Sequence, residues 1–246
     1  MVVALRIVTW NCCMAAHTKL AELLALRPDI AVLPECAAPE VAAAKSVYAS
    51  SSSHTWVGDY PQKGLAVLAF GQYVLEPAAV PDLIKGRFAL PVHVRGPVSF
   101  NLLAVWTQNA GRVPRYVRSA DDALTDHDAF LRSGPVIVAG DFNSNVLWDG
   151  ERKDKLGHDR LVQRLHDLGL ESAYHGHFNE QQGAESRPTY FQNRNLKRPY
   201  HLDYVFMPKE WTARCHVEVG DAASWLKHSD HMPMVVTKSV ADEQGS

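Results

Sequence analysis

Pro28-Asp29-Ile30-Ala31-Val32-Leu33-Pro34-Glu35 is the stretch on which the fold reading turns. The apolar run Ile30 to Leu33 has the length and character of a short buried strand. Upstream, Thr18 can cap a helix carrying Leu20, Leu23 and Leu24 on one face, and Arg27-Pro28 stops it. Immediately after the strand comes a lone carboxylate, Glu35. The same design recurs along the chain: Asn11 follows Leu5 to Trp10, Asp141 and Asn143 follow Val136 to Ala139, and Asp230-His231 precedes Met234 to Thr237.

Further β-like runs are Leu65 to Phe70, Ala89 to Val94, Ser99 to Trp106, Leu202 to Met207 and His216 to Val219. Two more helices are expected. Ser119 with Asp122 is a capping-box-like start for Ala120 to Arg132, ended by Ser133-Gly134-Pro135; His158 to Leu168 buries Leu161, Leu165 and Leu168 and meets Gly169. Many strands and few helices predict an α/β fold of packed sheets covered by helices, not a strict βαβ repeat. Ser50 to Ser53 and Asn179 to Glu185 read as surface loops, and Ala241 to Ser246 as a frayed tail.

The 246 residues are 46% hydrophobic and 21% charged, which suits a globular chain and excludes a disordered or fibrous one. Lys and Arg total 25 against 27 Asp and Glu, so the formal charge of -2 gives no global field for nucleic acid. Polyanion binding must come from local clusters. No apolar stretch approaches the roughly 20 residues of a membrane span, and the N-terminus lacks a signal-like apolar core, so a cytoplasmic protein is expected. Cys12, Cys13, Cys36 and Cys215 show no metal-binding spacing and read as free thiols.

Asp203, inside His201-Leu202-Asp203-Tyr204-Val205-Phe206, is costly to bury unless paired, and His231 is the candidate partner. Glu35 and Asp230, supported by Asn11, are hard oxygen donors that suit Mg²⁺ or Mn²⁺ better than zinc. Magnesium commonly leaves positions open to water and substrate phosphate, which points to phosphoryl chemistry. Taken singly, Gly140-Asp141-Phe142-Asn143 also reads as a turn, Ser229-Asp230-His231 as a cap and Glu35 as a solvated acid. Their joint occurrence beside apolar strands argues for a site.

Together, Val8-Thr9-Trp10-Asn11, Pro28 to Glu35, Gly140 to Asn143, His201 to Phe206 and Ser229-Asp230-His231-Met232-Pro233 resemble the endonuclease/exonuclease/phosphatase superfamily, the DNase I-like fold. The resemblance spans residues 8–233 and implies one domain over residues 1–246. It implies a four-layer α-β-β-α sandwich, with two mostly antiparallel central sheets flanked by helices. It also implies Glu35 as principal metal ligand with Asn11 and Asp230, and His231 at the scissile phosphate, with Asp203 as the candidate acid orienting it. Asp141 would position or deprotonate water and Asn143 would donate to the phosphate; a division with His231 as base and Asp141 orienting is equally open. One position departs from the pattern, because Trp106 ends a strand where many members carry His or Tyr, and indole cannot exchange a proton.

Asn109-Ala110-Gly111-Arg112 resembles a DNA-holding loop of exonuclease III-type abasic-site nucleases. Arg112, Arg115 and Arg118 form one basic cluster, and Arg187, Arg194, Lys197 and Arg198, interleaved with Tyr190, Phe191 and Tyr200, form another that suits phosphates and stacked bases. Trp106, Asn109, Arg112, Arg187 and Arg194 are the candidate substrate contacts. The expected function is a metal-dependent nuclease on DNA or RNA, taken as a monomer and with no membrane partner. The alternatives are a phosphatase or phosphodiesterase for a small or lipid-derived ester, and a silent binding protein of the same fold.

Overall fold

The computed structural model describes residues 3–80, 85–109, 111, 115–149 and 156–240. Its first half contains β1 (Val3–Thr9), α1 (Leu20–Ala25), β2 (Ile30–Cys36), α2 (Lys45–Ala49), β3 (Ser53–Tyr60), β4 (Lys63–Ala69), β5 (Val74–Pro77), β6 (Ala89–Arg95) and β7 (Phe100–Trp106). Next come α3 (Arg115–Asp126), α4 (Asp128–Leu131), β8 (Val136–Asp141), α5 (His158–Asp167), β9 (Leu170–Ser172) and α6 (Ala173–Phe178). The remainder holds β10 (Tyr190–Phe191), β11 (Pro199–Tyr200), β12 (Asp203–Pro208), α7 (Lys209–Thr212), β13 (Cys215–Val219), α8 (Ala222–Trp225) and β14 (Met234–Val240).

One six-stranded sheet has the order β13-β14-β1-β2-β4-β3 and the other β5-β6-β7-β8-β12-β9. Each has one parallel pair, β1 with β2 and β7 with β8, and is otherwise antiparallel. Leu5, Ile7, Ile30 and Val32 of the first sheet meet Leu102, Ala104, Ile137, Ala139 and Val205 of the second in a shared core. The alternate residues point the other way. Val8, Trp10, Ala31 and Leu33 pack with Leu23 of α1 and Val47 of α2, while Leu103, Val136, Val138 and Phe206 pack with Val117 and Leu124 of α3 and Leu161 and Leu165 of α5. Strands buried on both faces need apolar residues at every position, which is why the central runs show no polar alternation. Each fully buried Leu or Ile contributes roughly 1.5–3 kcal/mol. The four layers expected from the resemblance are therefore present.

Two expected helix starts move. Thr18 lies in a 3-10 turn, Ala16–Lys19, and its hydroxyl donates to the Ala15 carbonyl instead of capping α1. α3 begins at Arg115, so Ser119 sits within it, buried, and accepts from Gln108 N; the helix expected through Arg132 breaks at His127 into α3 and α4. The strands not anticipated, β3, β5, β9, β10 and β11, are edge strands or short, with few fully buried residues to mark them. Asn179 to Glu185 is a loop, as expected, yet the Glu185 side chain is turned inward. Among the described residues no helix is long and apolar enough to cross a membrane.

Candidate active site

Alternation carries the inner face of the second sheet out to its end. Ala104 pairs with Ala139 and Ala139 with Val205; one step further along the same face, Trp106 pairs with Asp141 and Asp141 with Asp203. The row that begins as core thus ends in two carboxylates. Gly140 makes room for it. Its φ is 144°, and a Cβ there would stand 1.8 Å from the Val105 carbonyl oxygen, so no other residue fits without moving β7 from β8.

From the first sheet come Asn11, just past β1, and Glu35, within β2. Ile30 and Val32 face the shared core and Ala31 and Leu33 the outer layer, so simple alternation would send Glu35 outward. A β-bulge lies between Pro34 and Cys36, and Glu35 takes a φ of 62°. The bulge reverses the parity: Cys36 joins the outer layer beside Cys12, and Glu35 is delivered to the Asn11 side.

Six polar residues meet here. Asp203 accepts from His231 Nδ1 at 2.8 Å, and His231 Nε2 lies 3.9 Å from Asp141 Oδ2. Asn11 Nδ2 donates to Asp141 Oδ2 at 3.0 Å and faces Glu35 Oε1 at 3.4 Å, while its Oδ1 accepts from Cys13 N at 3.0 Å. Asn143 donates twice to Asp141, from its backbone N at 2.9 Å and from Nδ2 at 3.0 Å. The turn that carries His231 is pinned as well, since Ser229 Oγ donates to Asn11 O, His231 N donates to Ser229 Oγ, and Trp10 Nε1 donates to His231 O.

Asp141 and Asp203 are fully buried and His231 nearly so. Burial would depress the His231 pKa, but Asp203 and Asp141 outweigh it and lift the pKa to about 10, so the ring is an imidazolium at neutral pH. Burial raises Asp141 to about 7 against the pull of His231, with Asp203 adding to the rise. Asp141 is therefore poised to exchange a proton near neutrality. The ligating atoms of Asp141, Asp203 and His231 lie within 4.8 Å of one another, but an imidazolium has no lone pair for a metal. This trio is suited to handling protons.

Lys63, at the start of β4, carried no signal in the sequence. Its Nζ is 3.2 Å from Glu35 Oε2 and 5.1 Å from the centre of the Trp106 ring. Trp106 is buried, packed against Phe88, and a cation rather than its indole edge lies beside the acids. Of the other candidate contacts, Arg194 donates to the Lys227 carbonyl at 3.4 Å and lies near the Cys13 thiol, whose pKa is raised by burial and then by Asp230 and Glu35 and lowered by Arg194, which puts Arg194 on the side of those acids. Arg187 is engaged elsewhere: it pairs with Glu180 at 3.4 Å and covers the Phe178 ring at 4.0 Å. Asn109 accepts from Gly111 N in its own loop, and Arg112 lies outside the described residues.

Rings lead outward from His231. Tyr190 is 4.6 Å from His231, Tyr200 is 6.4 Å from Tyr190, and Trp148 is 4.9 Å from Tyr200, all between centroids. Trp148 and its neighbour Leu147 are exposed, as are Arg194, Lys197 and Arg198 on the β10–β11 connection.

A model of the Endonuclease/Exonuclease/phosphatase family matches residues 8–231. The chain belongs to this family. Its members are hydrolases of phosphate esters. No curated protein matches the sequence. Among solved structures, the 3′ phosphatase NExo from Neisseria, bound to a product DNA hairpin, is similar at 21% identity with a TM-score of 0.68, over 94% of this chain and 98% of that one. An AP endonuclease from Archaeoglobus fulgidus is similar at 17% identity and a TM-score of 0.69, over 97% and 99%. Truncated TDP2 from Caenorhabditis elegans is similar at 15% identity and 0.67, over 96% and 98%. At such identities the likeness establishes the shared fold.

Family members typically use a divalent metal, and the donors here fit one. Glu35 and Asp230 both raise the Cys13 thiol and the Tyr190 hydroxyl, so the two carboxylates face common space. Hard oxygens and the partial exposure of Glu35, whose Oε2 is paired with Lys63, suit Mg²⁺ or Mn²⁺. Asn11 turns its NH₂ toward the acids and keeps one Oδ1 lone pair beyond the bond from Cys13, so it orients carboxylates as much as it offers a ligand.

Proposed function

We propose that this chain is a divalent-metal-dependent phosphodiesterase acting on nucleic acid, in which Glu35, Asp230 and Asn11 hold the ion and Asp141, Asn143, Asp203 and His231 carry out the hydrolysis. The observation that carries the reading is the buried Asp203-His231-Asp141 unit, with Asn11 and Glu35 set against it at one end of the two sheets. The shared inter-sheet core is the reason to treat residues 1–246 as one domain.

Asp203 holds Nδ1 of His231 and keeps the ring charged, so Nε2-H is a donor for a phosphate oxygen that gains charge in the transition state. With His231 protonated, the base is Asp141, which takes the proton of the attacking water. Asn11 and Asn143 fix the Asp141 carboxylate and prevent it from swinging onto His231. A divalent cation at Glu35 would neutralise phosphate charge and polarise the ester. The water oxygen bonds to phosphorus as the ester P–O bond breaks, and the proton taken up by Asp141 is passed to the leaving alkoxide, so that a phosphomonoester and an alcohol result and Asp141 is again a carboxylate.

Support for a nucleic acid comes from the ring row His231, Tyr190, Tyr200 and Trp148 with Arg194, Lys197 and Arg198 beside it, because unpaired bases stack on rings while cations follow the backbone. Exposed Leu147, Trp148 and Leu196 are the one feature that favours a lipid-derived ester instead. The test is hydrolysis of single-stranded DNA, abasic-site duplex, RNA, an inositol polyphosphate and sphingomyelin vesicles, with Mg²⁺ or Mn²⁺ and with EDTA, in wild type and Glu35→Gln. Cleavage of a nucleic acid that needs both metal and Glu35 is expected. Turnover of the vesicles alone would transfer the reading to lipid esters, and activity indifferent to EDTA and to Glu35 would remove the metal site.

A further inference from the structure

Three consecutive residues that begin two positions after Asn11, namely Cys13, Met14 and Ala15, have φ values of 48°, 65° and 48°. None is glycine. A left-handed turn of ordinary residues persists only where the surroundings impose it. Such a turn also gathers its carbonyl oxygens on one side, and here Lys19 fills that side. Its Nζ donates to the carbonyl of Cys12, to that of Met14 at 2.9 Å and to that of Cys13 at 3.5 Å. Lys19 is 9% exposed, and among the described residues it makes no ion pair with a carboxylate. A buried ammonium whose three donors all go to backbone carbonyls acts as a built-in cation.

We infer that Lys19 is a positioning residue: its ammonium holds the Cys13–Ala15 turn, and the turn sets the orientation of Asn11. The link is Cys13 N, which donates to Asn11 Oδ1 at 3.0 Å and so leaves Nδ2 facing Asp141 and Glu35. Ser229 Oγ anchors only the Asn11 backbone, and on the carboxamide itself the bond from Cys13 N holds the oxygen end while Nδ2 reaches Asp141 and Glu35. Without the ammonium, three carbonyls, that of Cys12 fully buried, lose a partner, the turn relaxes toward negative φ, and Cys13 N moves off Asn11 Oδ1. The carboxamide then loses the bond that holds its oxygen end and keeps only the contacts of Nδ2 to fix its angle toward the acids. Lys19 contacts neither substrate nor acids, so its effect reaches the site only through this turn. The inference rests on the proposed role of Asn11 and Glu35 in holding a divalent ion.

The experiment measures Mn²⁺ binding by the electron paramagnetic resonance signal of the free ion, together with kcat and KM on the best substrate of the hydrolysis panel. Lys19→Met should bind Mn²⁺ at least about tenfold more weakly and lose kcat with KM little changed, the scale expected when a partner that orients a ligand is removed. Lys19→Gly leaves space for a small cation, so methylammonium should restore Mn²⁺ binding in that variant, and tetramethylammonium, which cannot donate, should not. Wild-type Mn²⁺ affinity in folded Lys19→Met overturns the inference. If Lys19→Met does not fold, Met14→Gly and Ala15→Gly are added, because glycine adopts the turn unaided: recovered Mn²⁺ affinity supports the route through the turn, and a folded triple variant that stays weak overturns it. Glu35→Gln separates the two readings. If it too leaves Mn²⁺ binding unchanged, the metal site itself has failed; if it abolishes binding while Lys19→Met does not weaken it, only the role of Lys19 has failed.

Discussion

Asp203 Oδ2 lies 2.8 Å from His231 Nδ1, and both residues are buried although 28 positions separate them in the chain. The other oxygen of Asp203 has no hydrogen-bond partner among the described residues. Almost all of the stabilisation of this carboxylate therefore comes from the imidazolium, and the two side chains act as one unit.

That coupling predicts non-additivity. His231→Ala should lower kcat by roughly 10²- to 10³-fold, the usual loss for one transition-state donor. Asp203→Ala should come close to the same loss, and the double variant should be little worse than His231→Ala alone. Losses that multiply in the double-mutant cycle would show that the two side chains work independently.

Gly140→Ala should be among the most destabilising single substitutions in the second sheet. Its Cβ would overlap the Val105 carbonyl at 1.8 Å, and the φ of 144° is one that alanine avoids. A loss on the order of 3 kcal/mol or more is expected, read as a lower midpoint in urea. An unchanged midpoint would mean that β7 and β8 can separate at little cost.

Two buried histidines should make the fold sensitive to acid below pH 6.5. Burial depresses the pKa of His158 and of His201 to about 4, against an ordinary 6.5. Above pH 6.5 each is neutral whether the chain is folded or not. As pH falls from 6.5 toward 4 the unfolded chain takes up protons that the folded one refuses, and stability drops, by up to about 2 kcal/mol per histidine at pH 5. Glu185 extends the loss. Its pKa is held at about 2 despite burial, chiefly by the hydrogen bond from His175, so its contribution disappears between about pH 4.5 and 2. Urea unfolding at pH 7 and pH 5 measures the net change, in which Asp141, raised to about 7, binds a proton in the folded state alone and offsets part of the loss; His158→Gln should reduce the sensitivity to acid, and the same pH dependence in that variant as in wild type contradicts the assignment.

Arg194, Lys197 and Arg198 should account for part of the salt dependence of substrate binding. Replacing Lys197 and Arg198 by Ala should reduce the slope of log affinity against log salt by about 0.7 per cation on a single strand, with kcat nearly unchanged. A slope identical to wild type would reassign these side chains to the solvated surface.

Sheet content and the layer order were readable because both depend on local periodicity. Runs such as Ile30 to Leu33 and Val136 to Ala139 are apolar at every step because both faces of their strands are covered. Edge strands escaped notice for the opposite reason. β3 exposes half of its surface and β5 more, so neither leaves an apolar record. Ser119 and Thr18 misled because a cap motif specifies local chemistry only, and tertiary packing of Val117 extended α3 upstream while the bonds at Ala15 rewound the start of α1.

By itself, then, the sequence determined the central strand runs, the polar residue at the end of most of them, and that Asp203 needs a partner, with His231 as the candidate, since a strand carboxylate is costly to bury alone. Only the tertiary structure decided which way Glu35 points, because a bulge reverses the strand parity and no local pattern records a φ of 62°. It alone brought Lys63 between Glu35 and Trp106, and it alone separated Arg194, beside Cys13, from Arg187, on Glu180. The physical reason is range. Period and capping act over a few residues, whereas the charge that surrounds a carboxylate is set by strands that are neighbours in the sheet and distant in the chain.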